Sequence, residues 1–186
     1  MTNAQLDRRT DAELISAVRS GQRVAYAGLV RRYQDGLYRH ARAMGLDHDT
    51  GLDLVQETFV KAYTRLDDCR DPNRFRFWLH RVSRNLCLDH LKNVRRRTVP
   101  LSTIADADSI AEANGANCEL SLTLQAALEQ LPIAMREAFL LKHEAGYTYE
   151  EVAELTNASP SAVKMRVHRA REALQALLAE QGIRAA

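Results

Sequence analysis

The chain reads as all-α, two small helical domains joined by a flexible acidic linker, and three observations carry that reading. Aromatics are only 6% of the 186 residues and prolines number four, while 46% hydrophobic content permits a real core; that balance favours helix bundles. Threonine precedes glutamate by three residues at Thr10/Glu13 and again at Thr148/Glu151. At that spacing hydroxyl and carboxylate can cap the free amides of a helix's first turn. Charge switches sign once: eight cations between Arg74 and Arg97 face only Asp89, net +7, whereas Asp106, Asp108, Glu112 and Glu119 stand without a cation in residues 98–119, net −4. The domains are therefore expected at 10–97 and 120–180.

The first unit divides into four helices. Thr10 caps the first, Leu14, Ile15 and Val18 follow, and Gly21 can end it. Tyr26, Leu29, Val30, Tyr33, Leu37, Ala41 and Met44 form the stripe of the second, closed by Gly45, so these aromatics read as core. A third starts near Asp47 or Asp49, with Leu52, Val55, Phe59, Ala62, Tyr63 and Leu66 as its expected buried stripe. Its other face presents Asp53, Gln56 and Glu57 at i, i+3 and i+4, an acidic and amide patch that is either solvated or suited to an arginine-bearing partner.

The fourth helix, from about Arg74 to Arg97, joins the +7 charge to Phe75, Phe77 and Trp78 near its start. Cations alone suit a duplex backbone; cations with aromatics also suit unstacked single-stranded bases. Trp78 shares the apolar stripe of Phe75, Leu79, Val82 and Leu86, so it is at least half structural, while Arg81, Arg84, Asn85 and Lys92 lie off that stripe and could follow a strand. The short polar loop Asp67 to Asn73 is placed to hold a flipped base through backbone groups and Asn73.

Residues 98–119 break periodicity around Pro100 and Gly115 and read as the linker. Fully extended they reach on the order of 70 Å, about 20 base pairs of duplex. Beyond them, Thr148 opens a short helix, Asn157 tolerates the left-handed conformation that stops it, and Ser159 with Pro160 starts another. Val163, Val167, Ala170, Leu174, Leu177 and Leu178 fix the inward face of that last helix and leave Lys164, Met165, His168 and Arg169 outward. Helix, tight turn, helix with clustered cations predicts a module whose second helix enters the major groove.

Composition narrows the function further. No apolar run reaches the roughly 18 to 20 residues of a membrane span, and the start lacks the apolar region of a secretory signal, so a cytoplasmic protein without membrane insertion is expected. Cys69, Cys87 and Cys118 have no metal-ligand spacing and the six histidines are scattered, so neither metal nor cofactor is expected. No nucleophile or phosphate-binding glycine loop accompanies the carboxylates, so catalysis is set aside.

The runs DLVQETFVKAY, FRFWLHRVSRNLCLDHLKNVRRR, LPIAMREAFLLKHEAGYTYEEVAEL and SPSAVKMRVHRAR, in this order and with these gaps, resemble the extracytoplasmic-function sigma factors of bacterial RNA polymerase over about residues 10 to 178. The resemblance implies a four-helix promoter-melting domain, a linker and a helix-turn-helix domain. It implies that Asp53, Gln56 and Glu57 dock on the clamp helices of the polymerase's largest subunit, with the flap as a further polymerase contact. Asn73, Arg74, Trp78, Arg81, Arg84, Asn85 and Lys92 would capture the non-template strand of the minus-ten element, and Ser161, Lys164, Met165, His168 and Arg169 would read the minus-thirty-five duplex. It implies an anti-sigma factor as regulator and, because the first helix lies only about ten residues from the start, no counterpart of the extra N-terminal regions of housekeeping sigma factors.

Ser161 and Ala162 stand where the family often has glycine and threonine, and Met165 where a small polar residue is common, so upstream base preference does not transfer. A stand-alone dimeric helix-turn-helix regulator is the alternative; it would leave the basic aromatic helix and the DLVQE face idle. A nucleic-acid-modifying enzyme would need a compact metal or nucleophile site.

Overall fold

The computed structural model describes residues 6–97 and 115–180, with side chains described to 94 and from 123. Among them are eight α-helices and no strand: α1 Asp11–Arg19, α2 Tyr26–Ala43, α3 His48–Thr64, α4 Phe75–Arg97, α5 Gly115–Gln130, α6 Ile133–His143, α7 Tyr149–Thr156 and α8 Pro160–Glu180. The chain forms two compact units, one of residues up to Ala41 with Asp47 onward through α4, the other of Arg42–Leu46 with α5 to α8. Most of the expected linker lies outside the described residues, but its last five, Gly115 to Glu119, are the first turn of α5. Nothing there opposes a helix, since no proline occurs between Pro100 and Pro132.

Local chemistry sets the helix boundaries. The Thr10 hydroxyl accepts from Glu13 N while Glu13 Oε2 accepts from Thr10 N at 2.7 Å, and Thr148 and Glu151 repeat the arrangement at the start of α7. Asp47 caps α3, its carboxylate accepting from Thr50 N at 2.8 Å. Gly21 and Gly45 follow α1 and α2 with φ of +95° and +92°, a region open to glycine without steric cost.

In the first unit Leu14, Ile15, Leu29, Leu37, Phe59, Phe75 and Leu79 make the core, with Tyr26 and Tyr33 packed against it. The tyrosine hydroxyls find partners at the edge: Tyr26 donates to Phe59 O at 2.7 Å and Tyr33 to the Asp11 carboxylate. The expected stripe of α3 needs a correction. Leu52 and Tyr63 are 41% and 39% exposed, whereas Leu54 and Thr58 are buried. A strict 3.6-residue period carries the inward face through 51, 54, 55, 58, 59 and 62. Thr58 tolerates burial because its hydroxyl donates to Leu54 O at 2.7 Å within the helix.

In the second unit α8 packs on α5, α6 and α7, burying Val163, Val167, Ala170 and Leu174 against Leu141, Val152 and Leu155. Buried Arg136 closes the turn between α5 and α6 by donating to Glu129 O and, at 3.3 Å, to Leu131 O.

Candidate nucleic-acid interface

Asn157 ends α7 in the left-handed conformation, φ 51° and ψ 50°. Two residues later Ser159 Oγ accepts from Ala162 N at 3.2 Å and lies 3.0 Å from Ser161 Oγ, so the serines and Pro160 begin α8 at a fixed angle. The first half of α8 then presents Ser161, Lys164, Met165, His168 and Arg169, all exposed, on the side opposite its buried stripe. Every candidate reader residue stands on one accessible face. Two further residues shape it. The Tyr149 ring lies under both the Lys142 and Lys164 ammoniums, at 4.8 and 5.6 Å from its centre, and Glu172 Oε2 stands 3.1 Å from His168 Nδ1. Periodicity alone missed them, because Tyr149 belongs to another helix and Glu172 reads as ordinary surface charge.

On α3, Asp53, Gln56 and Glu57 are exposed together, with Glu57 paired to Lys61 at 2.8 Å. Leu52 and Val60, the latter 63% exposed, bracket them. The patch thus combines exposed acidic and amide groups with exposed apolar side chains on one helix face. Val60 was legible as an apolar residue off the buried stripe.

The loop between α3 and α4 contains two short 3-10 turns, Leu66–Asp68 and Pro72–Arg74. Asn73 is exposed, and both its N and Nδ2 donate to Asp71 Oδ1, at 3.0 and 3.2 Å. The Arg74 guanidinium lies 4.5 Å from the centre of the Phe77 ring. Along α4, Arg81, Asn85 and Lys92 are exposed, Arg84 is half-buried, and Lys92 stands 3.5 Å from Asp89. Trp78 differs from the rest: it is only 8% exposed and packs at 5.8 Å from the fully buried Phe75 ring. In this arrangement its indole belongs to the core and offers no open face to a base.

Between α2 and α4 the rings of His40 and His80 meet edge to face at 6.0 Å, both buried. Burial, with Arg84 nearby, pushes His40 down to about 4; burial, with His40 and Arg76 nearby, pushes His80 down to about 3. Both are neutral at physiological pH. Among the described residues no cluster of three or more histidine, cysteine or acidic side chains could hold a metal ion, and no helix is long and apolar enough to cross a membrane.

With those faces in view, comparison with known proteins is specific. Residues 29–97 match the model of sigma-70 region 2 and residues 121–174 that of sigma-70 region 4. The ECF RNA polymerase sigma factor SigM of Mycobacterium tuberculosis is 32% identical over 170 residues, covering 91% of this chain and 85% of its own. This chain belongs to the ECF sigma factors of RNA polymerase. The RNA polymerase sigma factor NccH of Alcaligenes xylosoxydans is 33% identical over 179 residues, covering 92% of this chain and 96% of its own. Among solved structures, CnrH in complex with the cytosolic domain of CnrY matches with TM-score 0.70 and 33% identity, over 91% of this chain and 97% of that one. The sigma factor RpoE in complex with the anti-sigma factor NepR from Bartonella quintana matches with TM-score 0.68 and 25% identity, over 82% and 96%. In this sigma factor the α3 face, the α3–α4 loop and α4 thus fall in region 2, and the helix-turn-helix in region 4.

Proposed function

We propose that this sigma factor divides promoter recognition between its two units, with polymerase docking on a third face. Asp53, Gln56 and Glu57 dock on the clamp helices of the largest polymerase subunit, Leu52 and Val60 adding apolar contact. Asn73, Arg74, Arg81, Arg84, Asn85 and Lys92 hold the melted non-template strand of the minus-ten element, while Trp78 supports them from below through Phe75. Ser161, Lys164, Met165, His168 and Arg169 read the minus-thirty-five duplex. The observation that carries the reading is the α8 face: five candidate readers exposed in the first half of a helix whose opposite side is core, the geometry a major groove accepts.

Promoter opening follows from where binding energy is spent. Unstacking a base costs a few kcal/mol, and strand contacts return roughly 1 to 3 kcal/mol per stacked base. Binding to the open strand therefore favours the melted state, and the polymerase makes the bonds. The chain is proposed to act in the cytoplasm as a non-enzymatic subunit under an anti-sigma factor, a reading supported by the anti-sigma factor bound in the RpoE structure. Runoff transcription with core polymerase over a promoter library tests the whole: a defined start dependent on both elements is expected, and absence of initiation with added core would sink it. A dimeric repressor would instead bind a palindromic operator without polymerase.

A further inference from the structure

Arg19 ends α1, distant in sequence from the loop joining α3 to α4, yet its guanidinium reaches into that loop. Nη2 donates to Leu66 O at 2.8 Å and to Cys69 O at 2.9 Å, and Nε stands 3.4 Å from Asp67 Oδ1. The Asp67 side chain is almost wholly exposed, so solvent leaves that ion pair little weight. The two carbonyl contacts are part-buried and charge-assisted, and they carry the brace. They turn the loop's inner carbonyls toward α1, while Asp67, Asp68, Arg70, Asp71 and Asn73 remain exposed. Within the loop, Cys69 Sγ donates to Asp71 O at 3.4 Å and Asp71 gathers Asn73, so the outer edge is hydrogen-bonded locally, while the inner carbonyls of Leu66 and Cys69 are held by the Arg19 side chain.

We propose that Arg19 is a positioning residue for strand capture: it fixes the Leu66 to Asn73 loop in the form that receives an unstacked minus-ten base. The inference rests on the assignment of that loop and α4 to the melted strand. A loop already ordered before binding loses less conformational entropy when the base arrives, so the brace strengthens capture without contacting DNA. Lysine replaces a planar fork by a single ammonium, so it reproduces only part of the brace.

The test uses holoenzyme, core polymerase with the full chain, binding a fluorescent single-stranded minus-ten oligonucleotide carrying an abasic site at each position in turn. In the wild type, one abasic position is expected to cost about tenfold in affinity. Arg19→Ala should weaken the intact strand about tenfold and flatten that positional profile, with core affinity and minus-thirty-five duplex binding held within about twofold. Arg19→Lys should recover part of the profile. Unchanged strand affinity in Arg19→Ala, a uniform loss with the profile intact, or a parallel loss of core binding would each overturn the role of Arg19. Should Arg19→Ala fail to fold, Arg19→Gln, which keeps a neutral donor, is judged by the same profile. A wild type without any positional dependence removes the strand assignment itself, and the proposal falls with it; a dependence retained by the variants removes the proposal alone.

Discussion

The two helices proposed to meet nucleic acid, α4 and α8, place their charged side chains differently with respect to the core. On α8 the buried stripe Val163, Val167, Ala170 and Leu174 and the exposed face of Lys164, Met165, His168 and Arg169 occupy opposite sides. On α4 the first turns bury Phe75, Phe77, Trp78, Leu79 and His80, and the cations emerge between core positions. Stability and recognition are separable on α8 and interleaved on α4. A substitution on the outer face of α8 should therefore report on DNA binding with little effect on folding, whereas one on α4 should perturb its own unit together with the proposed strand contacts.

The largest expected effect tests that interleaving directly. Trp78→Ala should cost about 3 to 5 kcal/mol of stability, the range for deleting a buried large aromatic, measured by urea unfolding. A cost under about 1 kcal/mol would make Trp78 a surface stacking residue and erase the contrast between the helices.

Acid should find the α4 side first. His40 and His80 are held neutral by burial, at about 4 and about 3 against an ordinary value of 6.5. Below pH 6.5 the unfolded chain takes up protons that the folded pair refuses, so stability is fully present above 6.5 and falls as pH drops toward 4. The slope per histidine is up to about 1.4 kcal/mol per pH unit. His80→Leu should flatten the first unit's stability between pH 6.5 and 4, and an unchanged slope would show that the pair does not govern it.

Smaller effects follow on exposed faces. Asp53→Ala with Glu57→Ala should weaken core polymerase binding about tenfold through lost polar complementarity, measured by fluorescence titration, while leaving duplex binding unaltered. Equal loss of both would refute a separate docking face. Lys164→Ala should leave unfolding within about 0.5 kcal/mol of wild type and lower the salt slope of DNA binding by about one phosphate equivalent. A changed sequence preference with the salt slope intact would make Lys164 a base reader.

Much of the fold was legible because its signals are local. Thr10, Asp47 and Thr148 each announce a helix start by a contact three residues long, and the left-handed Asn157 marks the turn. The α3 stripe was harder to read. Leu52 and Tyr63 look like core by residue type, yet the helix period points them outward, and Thr58 enters the core by satisfying its own hydroxyl. Val60 lies exposed on the α3 face for the same reason, a residue type overruled by its angular position.

By itself, then, the sequence determined the helix starts at Thr10, Asp47 and Thr148, the presence of two helical units and the outward face of α8, since hydrogen bonds and side-chain periodicity at three and four residues act within one helix. Tertiary structure decided that Trp78 is enclosed, that His40 meets His80, and that Arg19 reaches the carbonyls of Leu66 and Cys69. The histidine and Arg19 contacts join residues about 40 to 50 apart in the chain, and no periodicity encodes them; only the packing of the first unit brings them within reach.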